Sequence, residues 1–103
     1  MAKQFINYDI NPNGFLIIEA TVEDFVSRCN LDTNGNIMCE FCGRIPDNNE
    51  KCYYVAILNR ILCKDCLENV LILFPVRHVE DIPYEIRKYN IVAAELCIPM
   101  IEN

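Results

Sequence analysis

Hydrophobic and polar residues alternate near the start of the chain in the manner of a β-strand. The alternation runs from Phe5 to Ile10, and the Asn-Pro-Asn-Gly run at 11–14 is typical of a turn. A second β-type run extends from Phe15 to Glu19. These three segments predict an N-terminal β-hairpin.

A short amphipathic helix is predicted after this hairpin. Apolar residues recur there at helical spacing, namely Val22, Phe25, Val26 and Cys29. Thr21, three residues before Asp24, resembles the first residue of a capping box. We expect the helix to end near Asn30 and Asn34-Gly35 to form a tight turn.

The middle of the chain predicts a second hairpin that leads into a helix. The run from Cys52 to Leu58 is rich in tyrosine, valine and isoleucine, which favours a strand, and Asn59-Arg60 can return the chain into Ile61-Leu62. The next apolar residues follow a helical stripe, namely Leu67, Val70, Leu71 and Phe74. We expect Pro75 to end that helix.

The last predicted helix is apolar on more than one side. It begins at Asp81-Ile82-Pro83 and runs to about Cys97. One stripe consists of Ile82, Ile86, Tyr89, Ala93 and Leu96, and further apolar residues outside it are Tyr84, Ile91, Val92 and Ile98. Such a helix needs deep burial or a partner. Core packing, a homodimer interface and a partner-binding groove all remain open for it.

Two C-x-x-C pairs give the chain its candidate chemistry. Cys39 and Cys42 form the first pair, and Cys63 and Cys66 form the second after a gap of 20 residues. Four thiolates complete a tetrahedron around zinc at about 2.3 Å per Zn–S bond and leave no open position. We therefore expect one structural Zn²⁺ and no catalysis.

The other cysteines and the single histidine are expected to have no metal role. The chain has seven cysteines, an odd number, and its first residues lack the apolar stretch of a secretory signal. We therefore expect the protein in the cytoplasm of a bacterial cell, with free thiols rather than disulfides. A phage gene is one possible source. Cys29, Cys52 and Cys97 are expected in the core, and His78 in solvent.

The charge of the chain points away from nucleic acid and membrane. Fifteen acidic and nine basic residues give a formal net charge of −6, which phosphate backbones would repel. No apolar run reaches the roughly 20 residues that cross a bilayer. The acidic side chains form either a solvated face or a patch for a basic protein: Glu80, Asp81 and Glu85, with Asp47 and Glu50.

The chain resembles the treble-clef zinc fingers over about Cys39–Phe74. The predicted order there is a cysteine knuckle, a hairpin and then a helix that carries two further cysteines. Gly43, directly after Cys42, fits a knuckle that needs positive φ. Tyr53-Tyr54-Val55, and the run from Asn59 to Leu67, are similar to Gin-type bacterial zinc fingers, which inhibit sigma factors by protein contact. The resemblance implies that the four cysteines hold zinc and that a protein is the partner.

We therefore predict an α+β fold: a small zinc-bound treble-clef finger at 38–75, an N-terminal β-hairpin and short helix at 1–37, and a connector and C-terminal helix at 76–103, all in one domain. The expected function is a non-catalytic protein-interaction module that inhibits or regulates nucleic-acid machinery. Its candidate partner-binding residues are Glu80, Asp81, Tyr84, Lys88 and Ile91.

Two alternative functions remain open. The first is a nucleic-acid-binding finger that uses a basic strip of Arg44, Lys51, Arg60 and Lys64. The second is a dithiol redox protein that uses one C-x-x-C pair.

Overall fold

The computed structural model describes residues 2–29, 37–73 and 76–102, and within them one sheet and three α-helices. The strands are β1 (Lys3–Gln4), β2 (Ile17–Thr21), β3 (Lys51–Val55) and β4 (Arg60–Cys63). The helices are α1 (Val22–Arg28), α2 (Lys64–Leu73) and α3 (Ile82–Glu95), with a 3₁₀ turn at Val79–Asp81 before α3. The α+β prediction is confirmed.

The four strands form one antiparallel sheet in the order β1-β2-β3-β4. Ile17 lies opposite Val55 between β2 and β3, and Cys52 lies opposite Cys63 between β3 and β4. The N-terminal hairpin and the β3–β4 hairpin are therefore neighbours in one sheet, which their local patterns did not predict.

Each face of the sheet is covered by helix, because successive side chains of a strand point to opposite sides. On one face, Ile18 and Tyr54 pack in a core with residues of α1 and α3, including Phe25 and Tyr89. On the other face, Ile17, Val55 and Leu62 pack with residues of α2, namely Cys66, Leu67, Val70 and Leu71. The sheet is therefore the middle of three layers.

The first strand is shorter than the sequence predicts. Only Lys3–Gln4 are β residues, followed by one further bond from the Phe5 N–H to the Ile17 carbonyl (2.8 Å). The Asn7 side chain accepts hydrogen bonds from the N–H groups of Asp9 and Ile10 (3.1 and 3.3 Å), which bends the chain into a turn. The predicted strand over Phe5–Ile10 is therefore wrong, although the hairpin exists.

Helix α1 begins as its sequence predicts. The Thr21 Oγ1 accepts the N–H of Asp24 at 3.2 Å. The N–H groups of Val22 and Glu23 donate to the carbonyls of Glu50 (3.0 Å) and Asn48 (2.9 Å). These bonds fasten α1 to the loop before β3. The helix ends at Arg28, just before the predicted end near Asn30, and Cys29 is already extended. The predicted turn at Asn34-Gly35 lies outside the described residues.

The second hairpin and α2 follow the prediction with one shift. Strand β3 ends at Val55, before the predicted Leu58, and the chain turns through Asn59, whose φ is 55°. The Tyr54 hydroxyl donates to the Asn59 side chain at 2.7 Å and holds this turn. The predicted stripe of α2 is buried at Leu67, Val70 and Leu71. Its continuation at Phe74 and Pro75 lies outside the described residues.

The apolar excess of the predicted last helix is divided between core and surface, with Ile98 half-buried against the core. Beside the predicted stripe, Val92 is also buried, while Tyr84 and Ile91 stay exposed. No helix in the described part of the chain is long and apolar enough to cross a membrane.

Glu85 corrects the predicted acidic face, because it is fully buried. Its carboxylate accepts the Leu16 N–H at 2.8 Å and an Arg77 Nε–H at 2.7 Å. The ion pair with Arg77 offsets the cost of burying the charge. The bond from the Leu16 N–H joins α3 to the start of β2. A charged residue at a helix position that points inward is indistinguishable from a solvated one until its partner is known.

Candidate metal centre

The first cysteine pair lies in a tight knuckle. The Gly43 N–H donates to the Cys39 carbonyl, and the Cys39 N–H donates to the Arg44 carbonyl, both at 2.8 Å. Gly43 has a φ of 79°, in the left-handed region that favours glycine. The closed turn places both sulfurs of the pair on the same side of the backbone loop, where one ion can reach them.

The second pair lies where β4 becomes α2. Cys63 is the last residue of the strand, and Cys66 is in the first turn of the helix. The Glu40 N–H donates to the Ile61 carbonyl at 3.2 Å, which fastens the knuckle to the edge of β4. This bond brings the two pairs together.

The four sulfurs form one cluster. Those of Cys39, Cys42, Cys63 and Cys66 all lie within 4.8 Å of one another, and the Cys42 and Cys63 sulfurs are 3.9 Å apart. A zinc tetrahedron with bonds of about 2.3 Å has sulfurs about 3.8 Å apart, whereas a disulfide needs about 2.05 Å. All seven cysteines are free thiols. The cluster is therefore positioned to bind a metal ion, and its donors fit zinc.

The electrostatics of the cluster also suit a divalent cation. Burial raises the pKa of Cys39, but hydrogen bonds from the backbone of Cys63, Cys42 and Phe41 outweigh it and lower the pKa to about 6. Burial and hydrogen bonds with the other three cysteines raise the pKa of Cys66. One thiolate thus opposes the ionisation of its neighbour. A bound cation removes that opposition and lets all four sulfurs ionise.

A charged pair lies against the cluster. The Arg44 guanidinium makes two hydrogen bonds to the Glu50 carboxylate, one of them 3.2 Å long. These bonds lower the pKa of Glu50. The same bonds, and an interaction with the Cys63 side chain, raise the pKa of Arg44. Since the Glu50 carbonyl also accepts the Val22 N–H, the surroundings of the sulfurs are linked to α1. The sequence patterns did not indicate this pair.

The basic strip of the nucleic-acid hypothesis is largely paired. Besides the Arg44 pair, Arg60 lies 3.1 Å from Glu40 and Lys51 lies 3.6 Å from Glu19. Lys64 is exposed at the start of α2. Most of the positive charge that a phosphate backbone would need is therefore balanced locally.

The candidate partner-binding residues lie at the surface of α3 and of the turn before it. Tyr84 and Ile91 are exposed, and the Lys88 Nζ lies 5.6 Å from the centre of the Tyr84 ring. Glu80 and Asp81 are exposed in the 3₁₀ turn. Their role in binding stays a prediction.

The remaining cysteines and the histidine are placed as follows. Cys29 and Cys52 are buried, as predicted, and His78 is exposed. The prediction for Cys97 is wrong, because this side chain is exposed. Its φ of 60° ends the helical path after Leu96, so Cys97 no longer follows the buried face of α3.

Comparison with known proteins adds no relative. No protein-family model, curated protein or solved structure matches this chain. The likeness to treble-clef and Gin-type fingers is therefore carried by the residues alone.

Proposed function

We propose that the protein is a non-catalytic, zinc-stabilised module that binds another protein. The observation that carries this proposal is the closed cluster of four sulfurs. Four thiolates fill a tetrahedral shell, so no position is left for the water that a catalytic zinc activates. Bound through Cys39, Cys42, Cys63 and Cys66, the ion would supply a cross-link between the knuckle and the hairpin–helix unit.

The net charge supports a basic partner. The chain carries −6, and four zinc-bound thiolates would make it two units more negative. Opposite charge speeds encounter and selects partners. Together with the likeness to Gin-type fingers, this favours a regulator or inhibitor that acts on a basic component of nucleic-acid machinery, such as a sigma factor.

The two alternatives have less support. Direct nucleic-acid binding needs unpaired basic side chains, and three of the four in the strip contact carboxylates. A dithiol redox role needs one independent pair, whereas the two pairs here lie in one cluster.

The proposal is tested in two steps. Native mass spectrometry should find one zinc per chain. The zinc-loaded protein, immobilised on beads, should then retain a basic bacterial protein from a nuclease-treated lysate, and the purified partner should bind again in a direct titration. A chain that takes up no zinc and stays folded in strong chelator would refute the metal role. A mobility shift of labelled nucleic acid that is lost on neutralising Arg60 and Lys64 would favour the first alternative.

A further inference from the structure

An apolar groove lies beside the knuckle, between it and α2, and it extends the function proposed above. Its buried residues are Leu62 and Val70. Phe41, which is 53% exposed, and Leu73, which is 65% exposed, also line it. Large apolar side chains that line a groove while half open to water are typical of binding surfaces.

The groove is continuous with the metal centre. Phe41 and Glu40 are the two residues between the cluster cysteines 39 and 42. Glu40 also lines the groove, as does its ion-pair partner Arg60, 3.1 Å away. The position of one apolar lining residue thus depends on the fold of the knuckle.

The size of the groove suits a side chain rather than a small molecule. Its volume is about 230 Å³. Small-molecule sites usually occupy roughly 300–1,000 Å³. An apolar pocket with a polar rim is also how protein interfaces receive the anchor residue of a partner.

The charges around the groove favour a basic occupant. Helix α2 ends here, and its last turn contains no basic residue to balance the negative end of the helix dipole. With zinc bound, the adjacent sulfur cluster would carry two negative charges. Arg60, the cation in the groove lining, is already paired with Glu40.

We propose that this groove binds one large apolar side chain of a partner protein, carried on a segment with lysine or arginine on either side of it. The proposal rests on the function proposed above, because it names the surface through which the module binds.

A second copy of the chain is a poorer occupant. Tyr84 has Arg87 and Lys88 within 5.6 Å of its ring, so it has similar chemistry, but it lies on α3. A contact between the groove of one copy and α3 of the next joins two different surfaces. Such a contact builds open chains unless the rotation closes.

The test uses three short synthetic peptides and the ¹⁵N-labelled, zinc-loaded protein. The first peptide has a central phenylalanine flanked by lysines, the second has glutamates in place of the lysines, and the third has serine in place of the phenylalanine. We expect the first to shift the amide signals of Phe41, Arg60 and Leu73, with a Kd of about 0.1–1 mM. The other two should bind about tenfold more weakly or not at all.

A matched pair of variants locates the site. Leu73→Ser should weaken the first peptide about tenfold, whereas Ile72→Ser should leave its affinity unchanged. Ile72 is the neighbouring residue and is 76% exposed, but it is not among the residues that line the groove. Both variants must keep one zinc and the wild-type amide spectrum outside the groove.

Several results would overturn the groove proposal. They are signal shifts confined to α3, equal binding of the lysine and glutamate peptides, an equal effect of both variants, and self-association that Leu73→Ser abolishes. If the partner recovered from lysate binds Leu73→Ser as tightly as wild type, the groove fails while the proposed function stands. If no protein partner binds at all, the proposed function fails first.

Discussion

The two cysteines that face each other across β3 and β4 provide an internal test of the metal centre. Cys52 and Cys63 are opposite residues of the sheet, and each is only 1% exposed. Only the Cys63 sulfur belongs to the cluster. Cys52 packs in the core shared with α1 and α3, and Cys63 packs in the core shared with α2. Changing either residue to alanine removes one buried sulfur, but only Cys63→Ala should remove a metal ligand.

The expected magnitudes differ widely. Loss of one buried sulfur costs about 1 kcal/mol of unfolding free energy at either position. A structural zinc site contributes roughly 10–16 kcal/mol, so one of four similar thiolates accounts for about 2.5–4 kcal/mol. Cys63→Ala should therefore bind zinc about 10²–10³-fold more weakly. Its total loss is a large share of the 5–15 kcal/mol that stabilises a typical domain.

The assay is competition for zinc against a chromophoric chelator, followed by urea unfolding of each zinc-supplied variant. Cys52→Ala should keep the wild-type zinc affinity and lose only the smaller term. If both variants keep the wild-type zinc affinity, the assignment of Cys63 as a ligand is refuted. If both bind zinc equally weakly, the assignment of Cys52 as a core residue is refuted.

Three further predictions use other contacts of the structure. Arg44→Met should weaken zinc binding about 10–100-fold, because groups that contact metal ligands tune their affinity; Lys51→Met is the matched control, and equal affinities would contradict the role of Arg44. Glu85→Ala should lower the free energy of unfolding, measured in urea, by about 3–5 kcal/mol, because it leaves Arg77 and the Leu16 N–H without their carboxylate. The control Glu80→Ala, at an exposed residue, should change that free energy by less than about 0.5 kcal/mol. Iodoacetamide at pH 8 should label the exposed Cys97 in the zinc-loaded protein but neither Cys29 nor Cys52. Burial raises the pKa of both buried thiols to about 12, which leaves about one thiolate in ten thousand at that pH. Rapid labelling of Cys29 or Cys52, read by peptide mass spectrometry, would contradict their burial.

Local sequence signals predicted those parts of the molecule whose cause is local. The C-x-x-C spacing indicated which four cysteines would meet, because a two-residue gap fixes the distance between the sulfurs of a pair. Thr21 predicted the start of α1 because capping involves a side chain and a backbone N–H three residues apart. The stripe of α2 appeared because its buried face repeats at helical spacing.

Features that depend on distant contacts were missed. The pairing of β2 with β3 joins residues 30 to 38 positions apart, and no local pattern specifies which strands become neighbours. Glu85 resembled any exposed glutamate because its partners are Arg77 and the backbone of Leu16, 69 residues away. The groove beside the knuckle was also missed, since its lining comes from the knuckle, the β3–β4 hairpin and α2.

The knuckle explains why metal and partner binding should be coupled. None of residues 37–50 lies in a strand or helix, and only Ile37, Cys39 and Pro46 among them are buried. Burying three such residues contributes about 1.5–3 kcal/mol each at most, whereas ordering the backbone costs about 1–2 kcal/mol for every residue of the segment. Zinc binding, at roughly 10–16 kcal/mol, is large enough to be the main contribution that offsets this cost. Because this segment supplies Phe41 to the groove, removal of zinc should abolish partner binding even where the sheet and helices stay folded.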